Sequence, residues 1–89
     1  MVEDNEQQSR FELRLGEHVA FAVYRRRPGV VTIVHTEVPT EMRGQGIGSQ
    51  LARGALELVR KRGEKVEARC SFIVDFLAKN PEFKALEAP

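Results

Sequence analysis

The run Val38-Pro39-Thr40-Glu41-Met42-Arg43-Gly44-Gln45-Gly46-Ile47-Gly48, followed by Ser49, holds the densest anion-binding chemistry of this chain. Glycines at alternate positions let the backbone approach a ligand closely and take conformations closed to other residues. They stand where the first turn of a following helix leaves amide N–H groups without partners. Free donors and the helix dipole there both favour negative charge. Arg43 adds a permanent cation at the mouth, so strand, glycine turn and helix together read as a phosphate cradle. The plain alternative is a glycine-rich turn with no ligand. Two further places carry reactive groups: Cys70, the single thiol, and the pair His35 and Glu37.

The spacing discriminates between cradles. A Walker-type loop needs a Lys-Ser/Thr pair after its last glycine, and Gly48-Ser49-Gln50 has no lysine. A dinucleotide fingerprint G-x-G-x-x-G needs glycine where Ser49 stands, although Glu67 lies at a suitable distance for a ribose contact. The pattern Arg/Gln-x-x-Gly-x-Gly/Ala is filled by Arg43, Gly46 and Gly48.

These groups must be held by a small scaffold. Eighty-nine residues make one domain with a limited core, and leave no room for a complete six-stranded dinucleotide fold. The charged content of 30% and net charge of +1 give no general reason to expect nucleic acid. Arg25-Arg26-Arg27 runs straight into Pro28-Gly29 and reads as a solvated hairpin tip, with coenzyme attraction as a lesser alternative. One cysteine excludes an internal disulfide, and His18, His35 and Cys70 have no metal-ligand spacing, so no metal is expected. No apolar run resembles a signal peptide or a membrane span, which makes the cytoplasm the default location and a membrane partner unexpected. A monomer or weak dimer is expected.

Along the chain, residues 1–9 read as a polar, disordered tail and residues 10–89 as the folded domain. Phe11, Leu13 and Leu15 alternate with Glu12 and Arg14, the period of a half-buried strand. Gly16-Glu17 suits a two-residue hairpin turn, and Val19 to Tyr24 continues as a second strand. Pro28-Gly29 suits another turn before a β-branched third strand, Val30 to Thr36. The helix over Ser49 to Arg62 places Ile47, Leu51, Ala55 and Leu58 on one face, widened by Ala52 and Val59. Gly54 in its interior costs roughly 1 kcal/mol relative to alanine, a cost consistent with close packing. Lys65 to Cys70 reads as a fourth strand parallel to the third. Ser71 can cap a short helix with Phe72, Ile73, Phe76 and Leu77 on its apolar face, ended by Asn80-Pro81. Phe83 and Leu86 pack a last turn onto the core.

With this order on the page, the chain resembles the compact branch of the GNAT acetyltransferases. The resemblance rests on His35-Thr36-Glu37-Val38-Pro39, Gly44-Gln45-Gly46-Ile47-Gly48, Leu51-Ala52, Lys65-Val66, Cys70 and Asn80-Pro81-Glu82-Phe83, and covers about residues 10 to 86. It implies a minimal GNAT fold of mixed α/β (α+β) class: a three-stranded antiparallel meander, phosphate loop and helix, parallel fourth strand and short C-terminal helix. It implies an acetyl-CoA-dependent N-acetyltransferase acting on a primary amine of a small molecule or peptide. Acetyl-CoA would lie in a splay between the third and fourth strands. Its pyrophosphate would rest on the amides of Gly44, Gln45, Gly46, Ile47, Gly48 and Ser49, with Arg43 nearby and a backbone amide near Val38 polarising the thioester carbonyl. Relative to larger members, the chain lacks the helices inserted between the first two strands and stops before the last hairpin. Those pieces usually shape the acceptor groove, so a non-catalytic coenzyme-A-binding module is the alternative.

Each candidate for chemistry has a plainer reading beside it. Cys70 sits just before a helix N-terminus, which favours the thiolate, and the resemblance places it near the thioester as an acetyl carrier or polarising group. Otherwise it is a small buried hydrophobe. His35 and Glu37 leave one face of an extended strand, and the resemblance makes an acidic residue here the base that deprotonates the acceptor. Histidine has the better ordinary pKa for that task, and a hydrogen bond to a neighbouring loop is the structural alternative for both. Tyr24 reads as sheet packing rather than as a proton donor to the leaving thiolate.

Overall fold

Alternating apolar residues between Arg10 and Glu37 make one continuous antiparallel surface, and the chain adds a strand at each side of it. A computed structural model describes residues 1–89. The elements are β1 (Val2–Asn5), β2 (Arg10–Leu15), β3 (His18–Arg27), β4 (Val30–Glu37), α1 (Ile47–Lys61), β5 (Lys65–Ala68) and α2 (Ser71–Lys79). Short 3-10 turns cover Thr40–Met42 and Pro81–Leu86. The strands lie in the order β1-β2-β3-β4-β5, antiparallel except for the β4–β5 pair. This is the mixed α+β arrangement of a GNAT fold, with the expected meander, loop, helix and parallel strand.

Both helices cover one face. Phe11, Leu13, Ala20, Ala22, Tyr24 and Ile33 of the sheet meet Leu51, Ala55, Leu56 and Val59 of α1 and Ile73, Phe76 and Leu77 of α2 in one core of 20 residues. Within α1, Leu56 is fully buried and Leu58 only partly so, which turns the apolar stripe slightly from the expected one. Phe83 and Leu86 close the core from the last turn, as expected. The other sheet face, with Arg10, Phe21, Thr32 and Glu67, receives no helix, and Arg10 lays its guanidinium 4.4 Å from the centre of the Phe21 ring there.

Residues 1–9 are not a disordered tail. Val2–Asn5 pairs with Leu13–Arg10 as an edge strand. Side chains hold it: Tyr24 donates to Asp4 at 2.6 Å, Arg26 donates to Asp4 at 3.1 Å, Asn5 donates to Glu12 at 3.1 Å, and Val2 packs where Gly54 has no side chain. A β-carbon at position 54 would collide with the Val2 side chain, which explains a glycine inside α1. Asn5 accepts the Gln8 amide at 3.2 Å and shapes the turn into β2.

Three smaller expectations change. Leu15 is 45% exposed because it lies beside the hairpin turn, beyond the reach of α1. Cys70, with extended backbone, is the N-cap of α2, and Ser71 is its first helical residue. Phe72 is 38% exposed and lies over Gly48 instead of in the core. No helix is long and apolar enough to cross a membrane.

Candidate active site

The site is made by strands that part. β4 and β5 pair from Val30↔Lys65 to Ile33↔Ala68, and the Arg69 amide donates once more to the Ile33 carbonyl at 2.9 Å. β5 ends there, whereas β4 runs on to Glu37 with only β3 beside it. The register of β3 and β4 slips at the same level. Val23 faces His35, Tyr24 faces Ile33, and Val34 is the extra residue of a bulge. A bulge bends its strand and increases local twist, so the second half of β4 leaves β5 at this point.

The loop beyond β4 supplies the donors. Gly44 and Gly46 take φ of 81° and 71°, left-handed values that turn the chain into α1 at small cost only for glycine. The first helical bond into this turn is from the Gln50 amide to the Gly46 carbonyl at 3.1 Å. The six amides from Gly44 to Ser49 make no hydrogen bond within the protein. They span the turn into a 15-residue helix and its first three residues, and the helix dipole adds to their positive potential. Arg43 is exposed, and its Nε donates to the Val38 carbonyl at 3.3 Å, which keeps the guanidinium at the loop. The Val38 amide, just past the end of β4, likewise has no partner within the protein. This donor set fits a pyrophosphate: many amides, one cation, no carboxylate hydrogen-bonded to the donors, and a backbone with no side chain at Gly44, Gly46 or Gly48.

Cys70 closes the splay on the helical face. Its sulfur lies 3.3 Å from the Thr36 hydroxyl, joining the N-cap of α2 to β4 beyond the last β5 contact. Burial pushes the thiol pKa up. The Thr36 hydroxyl, with the nearby amides of Ile73, Phe72 and Thr36, more than offsets this, and the pKa falls below the ordinary cysteine value. Thr36 was not legible as a site residue. The one signal for it is alternation: between two outward residues, His35 and Glu37, the middle side chain must face the other way.

His35 and Glu37 share the helix-free face, as their spacing requires. Both are 57% exposed, with His35 Nε2 3.5 Å from Glu37 Oε1. No hydrogen bond or ion pair links either of them to Cys70, which stands on the opposite face of β4. Tyr24 is buried in the core, donating to Asp4 and accepting from Arg26 at 3.0 Å. Burial, reinforced by Asp4, raises its pKa to about 12. That environment matches packing, not proton delivery. Glu67 accepts from Thr32 at 2.9 Å on the helix-free face, away from the glycine loop, so it has no part in a dinucleotide site. No group of three or more His, Cys, Asp or Glu side chains converges as metal ligands.

Known proteins share the fold and the sequence pattern of this chain. The sequence pattern of the GCN5-related N-acetyl-transferase family matches residues 10–86. The protein called NATD1 in mouse is 35% identical over 97% of this chain and 81% of its own length. NATD1 of Xenopus tropicalis is 33% identical over 97% of this chain and 82% of its own length. A GCN5-like protein from Staphylococcus aureus, solved by NMR, superimposes with a TM-score of 0.74 at 27% identity, covering 99% of this chain and 87% of that one.

Proposed function

The chain belongs to the GCN5-related N-acetyltransferase family, and from that premise we propose that it binds acetyl-CoA and transfers the acetyl group to a primary amine. The observation that carries this reading is the coincidence of unpaired amides at Gly44 to Ser49 with strands that part at Ile33. Acetyl-CoA supplies an activated acetyl group as a thioester. The six loop amides and Arg43 hold its diphosphate, and the free inner edge of β4 offers backbone groups to an extended pantetheine arm, as a sheet edge does to an added strand. The Val38 amide donates to the thioester oxygen, where negative charge develops during attack.

Amine attack needs a free lone pair, and an alkylammonium of pKa about 10.4 is mostly protonated at neutral pH. Glu37 and His35 stand on the helix-free face and accept that proton, directly or through water. Cys70 and Thr36 line the opposite side of the splay. There the thiolate either orients the acetyl group for direct transfer or accepts it: sulfur attacks the thioester carbonyl, coenzyme A leaves as its thiolate, and the amine then discharges the new thioester. Both routes balance, and acetylation of Cys70 distinguishes them.

The reading is tested by amide hydrogen exchange with and without coenzyme A, followed by acetyl transfer to mixed primary amines. Protection of residues 38–49 with turnover supports it. Protection with no turnover of any amine favours the second reading, a coenzyme-binding module. No protection at all overturns both.

A further inference from the structure

A hollow of about 530 Å³ lies on the helix-free face. Arg25, Arg26, Arg27, Thr32, Val34, Glu67 and Arg69 line it, and Val34 and Arg69 mark the level where β4 and β5 part. The hollow therefore opens beside the splay but shares no residue with the glycine loop. Register builds it: Arg25 faces Thr32 across β3–β4, and Thr32 faces Glu67 across β4–β5. His35, paired with Val23, stands next along the same face.

The charges do not balance. Arg26 borders the hollow, but its guanidinium is neutralised on the helical face, where Asp4 and Glu64 accept its hydrogen bonds. Farther along the open face, Arg10 and Arg14 each pair with Glu12, 2.6 Å and 3.2 Å away, so neither lacks an ion pair. In the hollow, three guanidinium groups share one carboxylate. Glu67 lies 3.5 Å from Arg27 and 3.6 Å from Arg69, while Arg25 makes no ion pair. Guanidinium forks are suited to carboxylate and phosphate groups, which they bind in paired hydrogen bonds. A volume of this size suits a small molecule.

We propose that this hollow is the acceptor site, and that the acceptor is a small amine bearing an anionic group, a carboxylate or a phosphate. The inference rests on the transferase reading above and adds the substrate class. Arg25 and Arg69 bind the anion, which holds the amine near the parted strands on the side of His35 and Glu37. The coenzyme phosphates do not compete for the site, because their donors lie in a separate loop.

The test compares matched amines under acetyl-CoA saturation: 3-aminopropanoate against propylamine, and O-phosphoethanolamine against ethanolamine. Wild type should favour the acidic member of at least one pair by on the order of tenfold in kcat/KM, and the preferred pair tells carboxylate from phosphate. Arg25→Gln and Arg69→Gln should raise KM for the acidic amine, leave the neutral amine unchanged and keep coenzyme affinity. Arg14→Gln, on the same face but outside the hollow, should change neither. In parallel, the acidic amines are titrated into the free and coenzyme-loaded protein while the arginine Nε resonances are followed by NMR. Shifts at Arg25 and Arg69 support the site even where no amine is acetylated. Equal kcat/KM within both pairs, or arginine resonances that do not move, overturn it. If coenzyme A fails to bind while these arginines still respond, the transferase reading falls and the anion site stands.

Discussion

The two ends of the sheet treat their polar groups in opposite ways. Near the β3–β4 hairpin, Asp4, Tyr24, Arg26 and Glu64 are bonded to one another, and Arg26 alone reaches Asp4, Glu64 and the Tyr24 hydroxyl. Burial disfavours the Arg26 charge, yet its hydrogen bonds to Asp4 and Glu64 more than offset this and raise its pKa. At the other end, where β4 outruns β5, a run of amides has no partner and a thiol is drawn toward its anion. Polar groups that satisfy each other stabilise a fold and have little left for a ligand. Donors that the chain leaves unpaired are where a ligand gains most, because binding replaces water with a fixed partner.

This contrast predicts which substitutions change binding and which change stability. The largest effect is expected at the open end. Gly46→Val places a β-branched residue at φ 71° and a side chain on the cradle. Loss of two or more amide bonds to a diphosphate should weaken coenzyme A by on the order of a thousandfold in titration calorimetry. Unchanged affinity would remove the phosphate assignment.

The closed end should respond in stability alone. Arg26→Met leaves Asp4 and Glu64 without their shared cation and should cost about 3 kcal/mol in urea unfolding. At temperatures where the variant is folded, coenzyme affinity should match wild type. A cost near zero, or a parallel loss of affinity, would break the comparison.

Cys70→Ala separates chemistry from packing at the splay. It should retain coenzyme binding, since the cradle is backbone elsewhere, and lose about tenfold or more in acetyl transfer. Full activity in that variant would make Cys70 packing only. The wild-type thiol should also alkylate with a midpoint below the free-cysteine value of about 8.5. Mass spectrometry of the acetyl-CoA-treated protein then decides the route: an acetyl group on Cys70 that an acceptor amine discharges marks the two-step path.

The smallest effect at neutral pH concerns Tyr24, the single tyrosine of the chain. Its folded pKa is raised from 10.0 to about 12, so the folded state holds the phenolic proton more tightly than the unfolded chain. The resulting stability is fully present below pH 10 and is lost as pH rises toward 12. Tyrosinate absorbance should titrate late in the folded protein. Titration near 10 without unfolding would mean that the Asp4–Tyr24 bond does not persist in solution.

Period and punctuation determine what is legible without coordinates. Alternation over Phe11 to Leu13, the Pro28-Gly29 turn, the stripe from Ile47 to Val59 and the glycines of the loop are each encoded within a few residues. They give the meander, the helix and the parallel return strand, because backbone geometry reads such patterns locally. What only the tertiary structure decided depends on partners far apart in the chain. Val2–Asn5 is too polar to announce a strand, and becomes one through Gly54 and Arg26. Phe72 reads as core, but the N-terminus of α2 lies against Gly48, at the edge of the cradle. Thr36 meets Cys70 across 34 residues, and Arg25 joins Arg69 in one hollow through the register of β3, β4 and β5. The cluster Arg25-Arg26-Arg27 shows the division most directly. The sequence gives three adjacent cations beside a turn. Strand alternation then sends Arg26 into a neutralised network on one face, while Arg25 and Arg27 go to an unbalanced hollow on the other. Charge is a property of residues, but its compensation depends on which other strands arrive beside them.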